Sequence, residues 1–271
     1  MSTAEWLDFA KSLCLDAGAI IRNALSSEMN ISTKLANSDL VTETDQKVEK
    51  MISEQIKCRY PDHQFIGEES VIDGKKLYIA DLPTWVVDPI DGTTNFTRHL
   101  TGFTVSIAVL YEKKPVVGCV YDVLSDKIYS ATKGGGATLN TKPLKASNVK
   151  SLDKSLVVTE CGWNRAVASQ VTQNLLNILN KKVIAVRMFG SAALNLCRIA
   201  EGCGDVYYEF GTHIWDIAAG VLILEEAGGI LLDPVTKANL SLTNRRLVAA
   251  ATKDLALEVA GQITNIPFDE D

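Results

Sequence analysis

Two carboxylates, Asp88 and Asp91, lie three residues apart directly after the apolar run Trp85–Val87. The run is typical of the end of a buried strand, and the proline after Asp88 disfavours helical geometry there. Gly92 permits a turn that other residues avoid, and the hydroxyls of the two threonines after it favour the start of a helix. Carboxylate oxygens bind Mg²⁺, and the free N–H groups of a helix N-terminus bind phosphate. The spacing therefore predicts a metal-dependent phosphatase site.

A plain turn is the alternative interpretation of the same residues. Asp-Pro and Asp-Gly are common turn dipeptides, and an isolated pair of aspartates at this spacing is often a solvated turn. The apolar run before the pair and the acids elsewhere in the chain favour the phosphatase site.

Other acidic residues occupy positions that suit the same cleft. Glu68 and Glu69 follow a short apolar strand at Phe65–Ile66, so one of them is expected to face the cleft. Asp216 opens a helix that is apolar almost all round, where a buried carboxylate needs the helix dipole or a metal as its partner. Glu209 lies seven residues earlier, at a strand-to-helix connection that could expose it to the cleft.

Several polar positions also have a purely structural interpretation. Thr42 and Asp45 form the pattern of a capping box, and the spacing alone favours a capping role for Asp45. Lys34 and Asp39 are equally well explained as loop charges. Gly190–Ala193 starts a helix with small residues, for which packing is the simplest explanation.

Charge and composition exclude several classes of function. The net charge of −6 over 271 residues argues against a general nucleic-acid or anionic-membrane surface. No apolar stretch reaches about 18 residues, and the N-terminus lacks the pattern of a signal peptide. The six cysteines are scattered without a C-x-x-C pair, which indicates reduced thiols. We therefore expect a cytoplasmic protein that binds neither nucleic acid nor membrane and uses metal ions to attract phosphate.

The order of the predicted elements indicates helices layered on sheets. Helices are predicted over 4–26 and after Thr42, followed by an antiparallel meander over 102–131. In the second half, the predicted strands are Ser155–Thr159, Val183–Phe189, Val206–Phe210, Ile230–Leu232 and Leu247–Ala251, and the predicted helices are Gln170–Asn180, Ser191–Glu201, Trp215–Ala227 and Leu255–Ile263. Such alternation places helices against a sheet. Without a linker or repeat, residues 1–271 are expected to form a single α/β domain.

Four of the motifs occur in the same order in a known family. They are Asp39-Leu-Val-Thr-Glu-Thr-Asp45, Gly67-Glu68-Glu69, Asp88-Pro-Ile-Asp91-Gly-Thr-Thr-Asn95 and Trp215-Asp216-Ile-Ala-Ala-Gly220. In these motifs the chain resembles the inositol monophosphatases, and flanking runs such as Gln46–Lys50 extend the similarity across nearly the whole sequence. The resemblance implies a five-layer α/β/α/β/α fold, commonly a homodimer, and Mg²⁺-dependent hydrolysis of inositol monophosphate to inositol and phosphate.

The resemblance also implies a role for each site residue. The implied metal ligands are Glu68, Asp88, Asp91, Asp216 and the backbone carbonyl of Ile90. Asp45 and Thr93 are implied as the pair that orients and activates the attacking water. The implied substrate contacts are Glu68, Asp91, Gly92, Thr93, Ala192, Glu209 and Asp216, with the N–H groups of Gly92 and Thr93 offered to the phosphate. His213 and Lys34 match positions near the site.

Charge balance sets the expected metal content. Four carboxylates give roughly −4 and a phosphomonoester about −2, so two or three Mg²⁺ ions approximately neutralise the loaded site. These motifs place no serine, cysteine or histidine as a phosphorylated nucleophile, so direct attack by a metal-activated water is the expected mechanism. The resemblance further implies inhibition by Li⁺, which competes at a Mg²⁺ position.

Substrate choice is left open by the sequence. Trp163, in Glu160-Cys-Gly-Trp163, stands where the animal enzymes of the family carry serine, and a tryptophan there could narrow the pocket. Activity on histidinol phosphate or galactose 1-phosphate therefore stays an alternative. Phosphatases of fructose 1,6-bisphosphate and of 3′-phosphoadenosine nucleotides are the alternatives within the superfamily, and the short chain and Glu209 favour a small monophosphorylated polyol over them. A non-catalytic regulatory protein on the same fold is the alternative of another class, and it predicts degenerate metal ligands.

Overall fold

The structure is a computed structural model that describes residues 2–26, 31–33, 40–71, 77–162 and 164–271. These residues form seven α-helices: α1 Thr3–Ala24, α2 Glu43–Arg59, α3 Thr93–Thr97, α4 Ala168–Leu179, α5 Ala192–Ala200, α6 Ile214–Glu226 and α7 Lys253–Ala260. Lys34, Asp39 and Trp163 lie outside the described residues. Within the described ranges, no helix combines the length and apolar character needed to span a membrane.

The described strands fall into three sheets. The smallest pairs β1 Ile31–Thr33 with β2 Leu40–Thr42 in antiparallel fashion. The seven-stranded sheet contains, in spatial order, β3 Gln64–Gly67, β4 Thr84–Asp91, β5 Thr104–Tyr111, β6 Lys114–Asp122, β7 Lys127–Thr132, β8 Gly136–Leu139 and β9 Lys142–Pro143. The five-stranded sheet contains β10 Leu156–Thr159, β11 Ala185–Arg187, β12 Val206–Phe210, β13 Ile230–Leu232 and β14 Arg246–Ala250, in the spatial order β11-β10-β12-β14-β13.

Helices cover and separate the two large sheets. Helices α1 and α2 pack on one face of the seven-stranded sheet, where Trp85 and Tyr121 are fully buried. Helices α5 and α6 lie between the sheets, since α6 contacts β4 to β8 as well as β13, and α5 contacts β12 and β14. Helix α7 and Ile178 of α4 join the core on the outer side of the five-stranded sheet. The predicted α/β/α/β/α layering is therefore confirmed, and the single-domain organisation stays a prediction.

Helix α6 is the central element of this arrangement. Ten of its 13 residues are buried, as its apolar composition predicts. It can approach the sheet closely because residue 118 of β6 is glycine, where an added Cβ would lie 2.5 Å from the carbonyl oxygen of Ala219. The close packing holds the first turn of α6, which carries Asp216, against the layer that contains β4.

The strand that carries the two aspartates is longer than predicted. It does not end at Val87 but continues to Asp91, with an irregular register between Asp88 and Asp91. Pro89 lies within that irregularity, where its missing N–H does not interrupt regular strand pairing.

The start of helix α3 also differs from the prediction that threonine hydroxyls cap it. Gly92 occupies the N-cap with a φ of 95°, and no side chain caps the helix. The Thr93 hydroxyl instead donates to the carbonyl of Ile90 at 3.1 Å. A left-handed residue supplies the turn here, so the hydroxyl is available for a different role.

Other predicted elements agree within a few residues, with two exceptions. Residues 40–42 form strand β2 inside a segment predicted to be a turn, and β8 and β9 were not predicted. These strands have four or fewer residues, too few for an alternating pattern to stand out.

Candidate active site

The acidic residues of the motifs lie on neighbouring elements. Strands β3 and β4 run parallel, so Glu68, directly after β3, lies beside the carboxyl end of β4. Asp88 and Asp91 on β4 are buried, whereas Glu68 and Asp216 are half-buried. Helix α6 contacts β4 and brings Asp216 to the same place. Four carboxylates from three elements therefore form one group, here called the acidic cluster.

The charges of the acidic cluster act on one another. Burial raises the pKa of Asp88 well above its usual range, and the charges of Glu68, Asp91 and Asp216 raise it further. Burial likewise raises the pKa of Asp216, with Asp91 and Glu68 adding to the effect. Asp88 and Asp216 are thus destabilised as anions by neighbouring like charges, a condition that a bound cation relieves.

Asp91 is held by the start of helix α5. The Ser191 hydroxyl and the Ala193 N–H donate to its Oδ2 at 2.6 and 2.7 Å, and the Ala192 N–H donates to its Oδ1 at 3.3 Å. Burial nevertheless raises the pKa of Asp91 to about 7, because it outweighs these hydrogen bonds and the charge of Glu68 adds to it. An ionised carboxylate has about four acceptor positions, so one remains for a metal.

Backbone groups orient the other aspartates of the cluster. The N–H of Ile90 donates to Asp88 Oδ1 at 3.0 Å, in a turn that fits the irregular part of β4. The N–H of His213 donates to Asp216 Oδ2 at 2.7 Å and fixes it in the first turn of α6. Each side chain is therefore oriented before any ligand binds.

Gly92 brings three backbone segments together behind the cluster. A Cβ at this position would lie 2.9 Å from the carbonyl oxygens of both Gly102 and Gly190. Asn95 Nδ2 fastens the same segments, since it donates to the carbonyls of Gly102 and Phe189 at 2.8 and 2.6 Å. Only glycine fits at position 92, both for its φ and for the space available.

Glu209 lies inside strand β12 rather than in the connection that follows it. Its side chain is half-buried, and the Tyr207 hydroxyl donates to its Oε2. Burial and the charge of Glu160 raise the pKa of Glu209 to about 8, although the bond from Tyr207 lowers it. Since its charge also acts on Asp216, Glu209 lies at the border of the acidic cluster.

Asp45 forms the capping box that the spacing predicted. Its Oδ2 accepts from the N–H of Thr42 at 2.9 Å and from the Thr42 hydroxyl. Helix α3, which begins with Thr93, packs against β2, whose last residue is Thr42. The capping role is confirmed, and the pairing of Asp45 with Thr93 in catalysis stays a prediction.

The donor set of the cluster suits hard divalent cations. Its side chains are all carboxylates, which Mg²⁺ and Ca²⁺ prefer to nitrogen or sulfur ligands. Within the described ranges, no three His, Cys, Asp or Glu side chains lie close enough together to hold a metal ion as they stand. Strand pairing and the packing of α6 on β4 nevertheless bring the four carboxylates to one place, so a cation would need to draw them closer together.

Two residues of the site were not identified from the sequence. Ser191, which donates to Asp91, was predicted only as part of a helix start, although Gly-Ser before an apolar helix is a capping signal. Glu160 Oε1 accepts from the N–H groups of Phe189 and Gly190 and from Asn195 Nδ2, at 2.8, 2.8 and 2.9 Å. A single acid after a short strand gives no signal for such a role.

Comparisons with known proteins agree with this arrangement. The family model described as "Inositol monophosphatase family" matches residues 2–267. Inositol monophosphatase 1 of Bos taurus is 45% identical over 98% of this chain and 97% of its own length. Inositol monophosphatase 2 of Homo sapiens is 39% identical over 98% of this chain and 93% of its own.

Solved structures with the same fold include two from bacteria. An inositol monophosphatase from Anabaena is similar with a TM-score of 0.83 and 32% identity, covering 96% of this chain and 97% of its own. The Thermotoga maritima IMPase gives a TM-score of 0.85 at 26% identity, covering 95% and 96%. On both the sequence and the structural comparison, the chain belongs to the inositol monophosphatase family.

Proposed function

We propose that this protein is a Mg²⁺-dependent phosphomonoesterase that hydrolyses inositol monophosphate to inositol and phosphate. The observation that carries the proposal is the acidic cluster of Glu68, Asp88, Asp91 and Asp216, in a chain 45% identical to an inositol monophosphatase. A cluster of carboxylates repels a phosphate dianion unless cations lie between them. Every acid that the family resemblance implies as a metal ligand is present, which disfavours the non-catalytic alternative.

The residues that would hold the metal are the four carboxylates and the carbonyl of Ile90. When bound, Mg²⁺ lowers the pKa of a coordinated water and offsets negative charge on the phosphate and the leaving oxygen. The Ile90 carbonyl accepts from the Thr93 hydroxyl and keeps a second lone pair. The hydrogen bonds from α5 fix the plane of the Asp91 carboxylate, so its orientation needs no rearrangement on binding.

Thr93 and Asp45 are the proposed acceptors of the proton from the attacking water. The Thr93 hydroxyl is anchored through Ile90, and the Asp45 carboxylate is held by Thr42 at the start of α2. A hydroxyl can pass a proton on to a carboxylate within hydrogen-bond distance, so the proposal requires the Thr93 hydroxyl to turn from the Ile90 carbonyl toward Asp45. This role rests on the family resemblance and on the packing of α3 against β2.

The substrate is proposed to lie between the two large sheets. The N–H groups of Gly92 and Thr93 at the start of α3 would bind phosphate oxygens. Glu209 and Ala192 would contact hydroxyl groups of the inositol ring, with Glu68, Asp91 and Asp216 close to the ester. Carboxylates accept hydrogen bonds from sugar hydroxyls, which suits a polyol better than an apolar alcohol.

Further properties are proposed from the sequence, partly from its family resemblance and partly from its charge and composition. They are two or three Mg²⁺ ions per site, inhibition by Li⁺, a homodimer and a cytoplasmic location.

Phosphate release from inositol 1-phosphate, with and without Mg²⁺, tests the proposed function. We expect release that depends on Mg²⁺ and that falls on addition of millimolar Li⁺. Galactose 1-phosphate, fructose 1,6-bisphosphate, histidinol phosphate and a 3′-phosphoadenosine nucleotide serve as comparison substrates. Release from one of these alone would keep the metal-dependent reaction and reject the inositol substrate, and no release from any ester would reject the enzyme.

A further inference from the structure

The first turn of helix α6 is held by a residue far away in the sequence. Asp271 Oδ1 lies 2.6 Å from His213 Nδ1, and its Oδ2 accepts from the N–H of Ile214 at 2.9 Å. The Asp271 side chain is only 5% exposed, so water does not compete freely for these bonds. One carboxylate thus binds both a side chain and the backbone at the start of the helix.

The hydrogen bonds assign the tautomer of His213. Arg245 Nη2 lies 2.9 Å from His213 Nε2, and a guanidinium group can only donate. Nε2 is therefore the acceptor, and the proton on Nδ1 is donated to Asp271. The ring of Trp215 stacks on the imidazole with centroids 4.5 Å apart and planes 11° from parallel. The imidazole is fixed at both nitrogens and on one face.

The chain around Asp271 is itself anchored. The N–H of Asp271 donates to the carbonyl of Thr243 at 3.1 Å. The Arg245 guanidinium lies 5.2 Å from the centre of the Phe268 ring, and Ile266 is buried in the core beneath the five-stranded sheet. The carboxylate of Asp271 is therefore presented to α6 from a fixed backbone.

The same turn of α6 carries Asp216 of the acidic cluster. His213, whose ring binds Asp271, donates its backbone N–H to Asp216 Oδ2 at 2.7 Å. Ile214, whose N–H binds Asp271, is two residues before Asp216. A displacement of either residue would therefore rotate the Asp216 carboxylate.

We propose that Asp271 is a positioning residue for the metal site, which acts through His213 and Ile214 to orient Asp216. The proposal rests on the proposed function, because it takes Asp216 as a Mg²⁺ ligand. Groups that orient a metal ligand typically change the metal affinity by about 10-fold to 100-fold when they are removed. Asp271 is thus expected to control the Mg²⁺ concentration that the enzyme needs, without touching metal or substrate.

Substitutions at Asp271 in the full chain test this role, with Asp269→Asn as the matched control. Asp269 is an exposed aspartate two residues away, so its substitution removes the same charge from the same segment. Two readouts give the Mg²⁺ concentration at half-effect: the rise in Tm with added Mg²⁺, and phosphate release at saturating substrate. We expect Asp271→Ala to raise the Mg²⁺ concentration at half-effect by about tenfold or more in both readouts.

The other variants separate the contributions of the two oxygens. Asp271→Asn keeps one acceptor oxygen, so it should raise the Mg²⁺ concentration at half-effect less than Asp271→Ala does. Asp271→Glu keeps both acceptor oxygens and should retain most of the wild-type response to Mg²⁺. If Asp271→Ala does not fold, these two variants decide the question. Asp269→Asn should match the wild type.

Two results would overturn the proposal. One is that Asp271→Ala has a lower Tm in EDTA than the wild type but the same Mg²⁺ concentration at half-effect. This result would mean that Asp271 only stabilises the fold. The other is a response equal to that of Asp269→Asn in every variant. Absence of phosphate release from the wild type would reject the proposed function instead, and the Mg²⁺-dependent Tm would still measure the effect of Asp271 on metal binding.

Discussion

Asp91 and Asp233 are both buried aspartates, 8% and 1% exposed as whole residues, yet their pKa values are shifted in opposite directions. Asp233 accepts from two N–H groups of the turn that follows it, from Asn244 Nδ2 at 3.1 Å and from Arg246 Nε at 2.8 Å. Burial alone would raise the pKa of Asp233, but these hydrogen bonds outweigh it and lower the pKa to about 2.

Asp91 accepts three hydrogen bonds, against four at Asp233, and its charged neighbours are acids. Burial and the charge of Glu68 therefore prevail, and the pKa of Asp91 rises to about 7. The balance between burial and hydrogen bonding therefore differs at the two residues: burial outweighs the donors at Asp91, whereas the donors, one of them a guanidinium, outweigh burial at Asp233. Asp233 has its cation within the chain, in Arg246, whereas the acidic cluster is suited to a cation from solution.

The largest expected effect comes from removing a charge from the acidic cluster. Asp91→Asn should reduce Mg²⁺-dependent turnover by roughly 10³-fold or more, about 4 kcal/mol of activation free energy, and leave the fold intact. The amide keeps most of the size and can still accept from Ser191, but it is a poor ligand for Mg²⁺. Steady-state kinetics together with circular dichroism measure both outcomes, and near-normal turnover would reject Asp91 as a ligand.

The matched substitution at Asp233 should lower the stability and leave the turnover unchanged. Asp233→Asn breaks the ion pair with Arg246 and weakens the turn, so the free energy of unfolding should fall by about 2 kcal/mol. The specific activity of the folded protein should not change, because Asp233 lies outside the acidic cluster. Urea denaturation and an activity assay at low temperature test this, and loss of activity without loss of stability would remove the distinction between the two aspartates.

The pH dependence of stability should differ between the two carboxylates. The pKa of Asp91 is higher in the folded chain than in the unfolded one, so the folded chain binds more protons between about pH 4 and 7. In EDTA, the stability of the wild type relative to Asp91→Asn should therefore fall as the pH rises through this window.

The contribution of Asp233 should have the opposite sign. Its folded pKa of about 2 lies below the unfolded value, so its stabilisation is complete above about pH 4 and is lost as the pH falls toward 2. Urea denaturation of both variants and the wild type in EDTA, over this pH range, measures the two slopes. Slopes of the same sign would contradict the comparison.

The parts of the site that the sequence predicted are those encoded by local patterns. The pair Asp88 and Asp91 follows an apolar strand, Asp216 opens an apolar helix, and Asp45 completes a capping box, so each is visible within a few residues. The placement of helices against a sheet followed from the alternation of strands and helices, whose apolar periodicity is also local, whereas the five-layer order came from the family resemblance.

The partners of those residues could not be predicted, because they come from distant parts of the chain. Ser191 is 100 residues from Asp91, and Asp271 is 58 residues from His213. The sequence around Ser191 does not indicate which carboxylate its hydroxyl contacts, and the sequence around Asp271 does not indicate which imidazole its carboxylate contacts. Those contacts are determined by the packing of α5 and α6 between the sheets, which the local pattern does not contain.

Calorimetric titration of Mg²⁺ into the metal-free protein at pH 8 tests the central claim most directly, with wild type, Asp91→Asn and Asp233→Asn compared. The acidic cluster is the proposed metal site, so the wild type and Asp233→Asn should bind Mg²⁺ with the same stoichiometry and affinity. Asp91→Asn should lose at least one ion or bind it at least tenfold more weakly, since a charged ligand is gone. Equal binding by Asp91→Asn, or no binding by the wild type at millimolar Mg²⁺, would contradict the assignment of the cluster as a metal site.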